Sequence, residues 1–306
     1  MSIAKQQSRS LMIMHRVQLI AMFILATLLC WTEGTHHPLH CAKWQSNCQK
    51  YDQHCTSVGS TEKRVWKSCC EPLTYESSGE SSLEINRTRT LLSNIYSIKL
   101  GTYSTTQAWC DMTTDGGGWM IILRRADGIE SFDKLYDEYE EGFGNLEHDF
   151  FYGLKVIRDL TSTETYEMRI DLFDQSNDTE SSAHAVYKNF CIGCNNSEGY
   201  KLYLDGFTSE TLLDNLMVFN EQPFIARKRN QDYKQLSSCL TYGQSRGGWW
   251  YLQDGESCNG SEGTGAVLTG SNHKVSWYDP DTVRGKRFYE KVELKIRQKS
   301  CSRSLL

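Results

Sequence analysis

Beyond residue 91 the chain carries short runs in which apolar positions alternate with polar ones or cluster between turn residues. Residues 120–123, 166–172, 200–204 and 292–296 are the clearest, and that pattern predicts strands. Apolar spacing at the helical period is weaker, and it falls at residues 132–139, 150–158 and 212–219. The expectation is an α+β domain over residues 91–299, built of short, mostly antiparallel strands with few helices and long loops, followed by a tail at 300–306.

The pattern before residue 91 is different. Lys5, Arg9 and Arg16 precede an apolar run at 17–31, and small or polar residues follow. The run is shorter than the ~20 residues a spanning helix needs, so residues 1–34 read as a secretory signal peptide, with an uncleaved signal anchor as the alternative. Residues 35–90 are a cysteine-rich segment and a polar linker with few aliphatic side chains, too short to fold on an apolar core alone. Cys41, Cys48 and Cys55 recur every seven residues. That spacing suits one stripe of a helical stalk in which parallel chains cross-link, or else a small looped disulfide cluster.

Composition adds the compartment. Twelve cysteines fit an oxidising environment, and loss of Cys30 with a signal peptide leaves an odd number, which implies a free thiol or a bond to another chain. Sequons at Asn86, Asn177, Asn195 and Asn259 fit a glycosylated extracellular protein. A net charge of -5 gives no electrostatic case for nucleic acid, and a membrane is a partner only if the N-terminal segment stays uncleaved. No Ser/His/Asp order and no nucleophile elbow is present, so no enzymatic activity is expected. Cys191 and Cys194 have redox-motif spacing, yet they lie between two strand-like runs and not at a helix N-terminus, so a small structural disulfide is the preferred reading.

One stretch is distinctive. Cys110 to Trp119 reads CDMTTDGGGW, where three successive glycines before a tryptophan predict backbone packed tightly beside the ring. Arg124-Arg125-x-Asp127-Gly128, Gly142-Phe143-Gly144, Phe150-Phe151-Tyr152-Gly153-Leu154, Gly248-Trp249-Trp250-Tyr251 and Lys295-Ile296-Arg297 follow in order. The array resembles the fibrinogen C-terminal globular domain, as in ficolins, angiopoietins, tenascins and invertebrate lectins. That resemblance implies an extracellular binding module, lectin-like towards glycans or glycoproteins, or alternatively a receptor-engaging or matrix ligand. It also implies multimers, here a disulfide-linked homo-oligomer.

The resemblance implies particular sites as well. A calcium loop is expected before Cys239, but Arg229, Gln231 and Tyr233 stand where its aspartates belong. Only Asn230 and Asp232 remain as oxygen donors, too few for an ion that takes 6–8 oxygens, so no cofactor is expected. The family's pocket maps near Trp250, Tyr251 and Trp277, which become candidate ligand-binding residues, with core packing as the competing use. Implied disulfides are Cys70–Cys110, with Cys69 as the alternative to Cys70, and Cys239–Cys258. Cys301 is left without an assigned partner.

Overall fold

Strand β11 (Lys291–Gln298) shows how the alternation becomes architecture. Val292, Leu294 and Ile296 lie on one face of the strand, and Lys291, Glu293, Lys295 and Arg297 on the other. In the computed structural model, residues 68–70, 92–100, 104–174, 183–195, 199–228, 247–252, 268–269, 275–282 and 285–304 are described.

β11 sits in the middle of the principal sheet, whose order is β1 (Asn94–Leu100), β2 (Ser104–Asp111), β3 (Trp119–Arg125), β11, β6 (Tyr166–Phe173), β7 (Ala183–Ile192), β8 (Leu202–Thr208). All six pairings are antiparallel. Two two-residue strands, β4 (Phe143–Gly144) and β5 (Phe150–Phe151), extend it alongside β3. A separate hairpin joins β9 (Val275–Tyr278) to β10 (Lys286–Tyr289). Among the described residues helices are few: α1 (Tyr136–Glu141), α2 (Leu154–Thr163) and α3 (Lys299–Ser304). This is the expected α+β class.

The apolar face of β11 meets Met168, Ile170 and Leu172 of β6 in register, and all six side chains are buried. Leu154, Ile157 and Leu160 form the buried stripe of α2, which packs against β7 and β1. The opposite face of the sheet carries charge, and it is buried too. Lys295 Nζ lies 2.6 Å from Asp111, 2.9 Å from Asp171 and 3.0 Å from Glu293. Arg124 pairs with Glu293 at 3.0 Å, Arg169 with Asp171 at 2.8 Å and Arg297 with Glu167 at 2.8 Å.

Ions removed from water are tolerable only when partners and hydrogen bonds replace hydration. Burial alone would raise the Asp111 carboxyl, but Lys295 and the Thr114 hydrogen bonds outweigh it and hold the group well below the carboxylate range. Burial would likewise lower Lys295, yet Glu293, Asp171 and Asp111 keep it above its ordinary value.

The glycine triplet serves this layer. Gly116, Gly117 and Gly118 all have φ near +80° or slightly less, and a Cβ on Gly117 would sit 2.4 Å from the Met112 carbonyl oxygen. The turn aims the carbonyls of Asp115 and Gly117 at Arg297 Nη1, at 2.6 and 3.0 Å, while the guanidinium lies 4.1 Å over the Trp119 ring.

Two expectations are corrected. Cys69, not Cys70, bonds Cys110, and Cys70 bonds Cys301. The 68–70 turn sends adjacent side chains in different directions, so one cysteine reaches β2 and its neighbour reaches α3. The helix expected at 212–219 is reduced to one 3-10 turn, Met217–Phe219. Asp214 accepts hydrogen bonds from the Leu216 and Met217 amides and from the Tyr187 hydroxyl, and this local capture of backbone donors competes with the helix. In the two other helical windows the helix lies further along: α1 starts at Tyr136, and residues 150–151 pair as a strand before α2 begins.

Candidate binding surface

The Gly247–Leu252 segment enters the domain through close backbone approach. A Cβ on Gly248 would lie 2.7 Å from the Tyr139 ring and 2.8 Å from that of Phe224. The Gly248 amide donates to the Tyr139 hydroxyl at 2.9 Å, and that hydroxyl donates to the Phe132 carbonyl at 2.7 Å. Trp249 then pairs with Ile225 through two backbone hydrogen bonds of 2.9 and 3.0 Å. The rings form a lattice: Trp250 meets Trp249 at 5.1 Å and Phe224 at 5.0 Å, both edge-on, and Tyr139 meets Phe224 at 5.1 Å. Edge-to-face contacts of this kind add to the burial of apolar area.

Trp250 belongs to this lattice, and Tyr251 and Trp277 share the buried core with it, so none of the three lines an open pocket. Trp250, Tyr251 and Trp277 are 3%, 1% and 1% exposed. Their polar atoms are consumed internally: Trp250 Nε1 donates to the Tyr200 carbonyl at 2.6 Å, the Tyr251 hydroxyl to the Gly247 carbonyl at 2.7 Å, and Trp277 Nε1 to the Leu213 carbonyl at 3.0 Å. A ring with both faces packed and its polar edge paired cannot stack on a ligand, so their assignment as ligand-contacting residues is corrected to a structural one.

At the rim of this lattice four segments converge, all reaching the surface in part except for the buried Tyr200. Tyr136 and Glu140 come from α1, Asn195 from the turn after β7, Tyr200 from the approach to β8, and Arg227 and Lys228 from the strand-like stretch leading to residue 229. Glu140 Oε1 accepts from Asn195 Nδ2 at 2.6 Å and from the Tyr200 hydroxyl at 3.1 Å. The Tyr136 hydroxyl reaches Asn195 Oδ1 at 3.4 Å. Arg227 pairs with Asp133 at 2.7 Å, its carbonyl accepts from the Tyr136 amide, and Lys228 Nζ lies 5.3 Å over the Tyr136 ring. Burial together with Glu140 pushes the Tyr136 phenol up to about 12 and Tyr200 further, so both stay protonated donors. Sequence spacing gave no hint of this cluster, because its members are brought together only by the fold.

Cys191 and Cys194 are both disulfide-bonded, and they lie at and just beyond the end of β7 and not at a helix N-terminus, the setting that lowers a thiol pKa. Asn230, Asp232, Cys239, Cys258, Cys41, Cys48, Cys55, Asn86, Asn177 and Asn259 lie outside the described residues. Among the described residues, no group of three or more His, Cys, Asp or Glu is arranged to hold a metal ion, and no helix is long and apolar enough to cross a membrane.

Comparison with known proteins gives a consistent result. The family model described as "Fibrinogen beta and gamma chains, C-terminal globular domain" matches residues 80–299. Tenascin-R of Gallus gallus is 35% identical over 190 residues, 61% of this chain and 13% of that protein. Ryncolin-4 of Cerberus rynchops is 35% identical over 195 residues, 63% of this chain and 53% of its own. The chain thus spans from about an eighth to about half the length of these relatives. Among solved structures, the fibrinogen-like globe domain of human ANGPTL6 aligns with a TM-score of 0.56 at 26% identity, covering 78% of this chain and 99% of that one. The corresponding domain of human ANGPTL2 gives 0.56 at 27% identity, covering 76% and 99%.

Proposed function

Because the chain belongs to the family of the fibrinogen C-terminal globular domain, we propose that it is a secreted, disulfide-linked oligomer whose globular head binds an extracellular glycoprotein. The observation that carries this reading is the rigid aromatic lattice around Trp249 and Trp250, which together with the Ile225–Trp249 backbone pair fixes the edge of the domain where Arg227 and Lys228 stand. A rigid scaffold that holds polar side chains at its edge is the usual setting for recognition. Oligomerisation would raise the avidity of individually weak sites.

Sugar binding in this reading depends on groups other than Trp250, Tyr251 and Trp277, which are withdrawn into the core. The same burial favours a second reading: a receptor or matrix ligand that makes protein contacts without sugar stacking. Calcium has no part in either. The approach to Asn230 and Asp232 is cationic, with Arg227 committed to Asp133 and Lys228 over Tyr136. The deciding experiment is a glycan and acetylated-ligand array probed with the purified secreted protein, with calcium and with chelator. Chelator-insensitive glycan binding is expected. Silence on every glycan, with retained binding to an extracellular glycoprotein after enzymatic deglycosylation, selects the second reading, and chelator-sensitive binding overturns the loss of calcium. A non-reducing gel showing only protomer-sized protein would overturn the covalent oligomer.

A further inference from the structure

We propose that Asn195 carries an N-linked oligosaccharide whose innermost sugar rests against the Tyr136–Glu140 surface of α1, next to the point where the chain enters residue 229. Three observations meet at this residue. Asn195-Asn196-Ser197 is a sequon with no proline at its middle position. Asn195 is exposed and follows β7 in the connection to β8, where a bulky polar modification can project into solvent. Its carboxamide is also oriented, because Nδ2 donates to Glu140 Oε1 at 2.6 Å and Oδ1 accepts from the Tyr136 hydroxyl at 3.4 Å.

The chemistry fits that arrangement. In transfer from a lipid-diphosphate-linked oligosaccharide, Nδ2 bonds to the anomeric carbon, the anomeric C–O bond to the diphosphate breaks, and one amide proton leaves with the diphosphate. Nδ2 carries two hydrogens, so the modified amide retains one for Glu140. The first sugar is then held within a few ångströms of Glu140, an acceptor for its hydroxyl or acetamido N–H, and of the phenolic edge of Tyr136. Lys228 lies over the Tyr136 ring, so the oligosaccharide covers the peptide bonds after Arg227 and Lys228. The site shares with the proposed function only the passage through the secretory route, and it does not depend on what the head binds.

The test uses the full chain secreted from a eukaryotic host. Glycosidase release in heavy-oxygen water followed by peptide mass spectrometry is expected to convert Asn195 to labelled Asp. If Asn195 is not labelled in protein recovered from the medium, the inference is overturned while secretion stands; if no protein reaches the medium, it is the secretory reading of the proposed function that fails. Ser197→Ala removes the sequon and leaves the Asn195 contacts in place. It is expected to lower the mass by one oligosaccharide without shifting the thermal midpoint, and to speed tryptic cleavage after Arg227 and Lys228 several-fold. Asn195→Gln provides an independent second variant. Equal cleavage rates in wild type and both variants, with Asn195 modified in wild type, would overturn the seating on α1.

Discussion

The paired substitution Cys70→Ala/Cys301→Ala tests the covalent bracket most directly. The bond closes a loop with a sequence separation of 231, whereas Cys69–Cys110 closes one of 41. In the chain-entropy treatment, cross-linking stabilises by restricting the unfolded chain, with a logarithmic dependence on loop length. That gives about 5.5 kcal/mol for the long loop and about 3.9 kcal/mol for the short one at 25 °C. The intact Cys69–Cys110 bond shortens the long path by its own loop, which changes the first figure by only about 0.2 kcal/mol. All four cysteines are buried, so the packing lost on replacement by alanine is similar for the two pairs and largely cancels in the comparison. A domain of this size shifts by about 2–4 °C per kcal/mol, so the long-loop variant should melt about 10–20 °C below wild type. Urea and thermal midpoints of wild type and the two double variants, measured at pH 7 without reductant, provide the readout. A larger loss for Cys69→Ala/Cys110→Ala, or a loss below about 1 kcal/mol for the long-loop variant, would refute the entropic assignment.

Further outcomes follow from individual contacts. Lys295→Met leaves three buried carboxylates without their shared cation and should cost about 3–5 kcal/mol at pH 7. In wild type the depressed Asp111 and Glu293 groups contribute stability that is full above their ordinary values of 3.8 and 4.5 and declines as pH falls through the lower folded values. Urea midpoints between pH 6 and 3 should therefore fall in wild type, while the gap to Lys295→Met narrows; a constant gap would contradict the linkage. Gly248→Ala forces a methyl against Tyr139, Phe224 and Ala226 and should destabilise by about 1–3 kcal/mol in chemical denaturation. Trp250→Phe orphans the Tyr200 carbonyl and should cost about 1–3 kcal/mol, yet leave the array profile unchanged; loss of binding by a stably folded variant would return Trp250 to the ligand site.

Much of the fold is legible in the alternation, because Val292, Leu294 and Ile296 fall on a face that must be buried. The other face of the same strand is not. Glu293, Lys295 and Arg297 have the spacing of a solvated edge, and only the arrival of Asp111, Asp171 and Glu167 from other strands makes their burial tolerable. Residues 212–219 have helical spacing, but a single aspartate at 214 captures the amides that would have begun the helix. Family motifs locate Trp250, Tyr251 and Trp277 correctly along the chain, yet motif position carries no information about which side of a wall a ring faces. The Asn195 surface is assembled from segments more than thirty residues apart in the cases of Tyr136, Asn195 and Lys228, so no local pattern announces it.

The adjacent cysteines also determine how the domain bears mechanical load. Tension applied through the N-terminal segment reaches Cys69 and Cys70 and divides at once, part passing to β2 through Cys110 and part to α3 through Cys301. A pull between residues before 69 and residues after 301 runs through the two sulfurs of Cys70 and Cys301 and bypasses the sheet. Only a load applied at the head itself is transmitted through the strands, and β11, hydrogen-bonded on both sides to β3 and β6, then resists as a strut sheared along two edges. Tension between the chain before residue 69 and the chain after residue 301 is thus borne by covalent bonds and leaves the strand pairing unloaded.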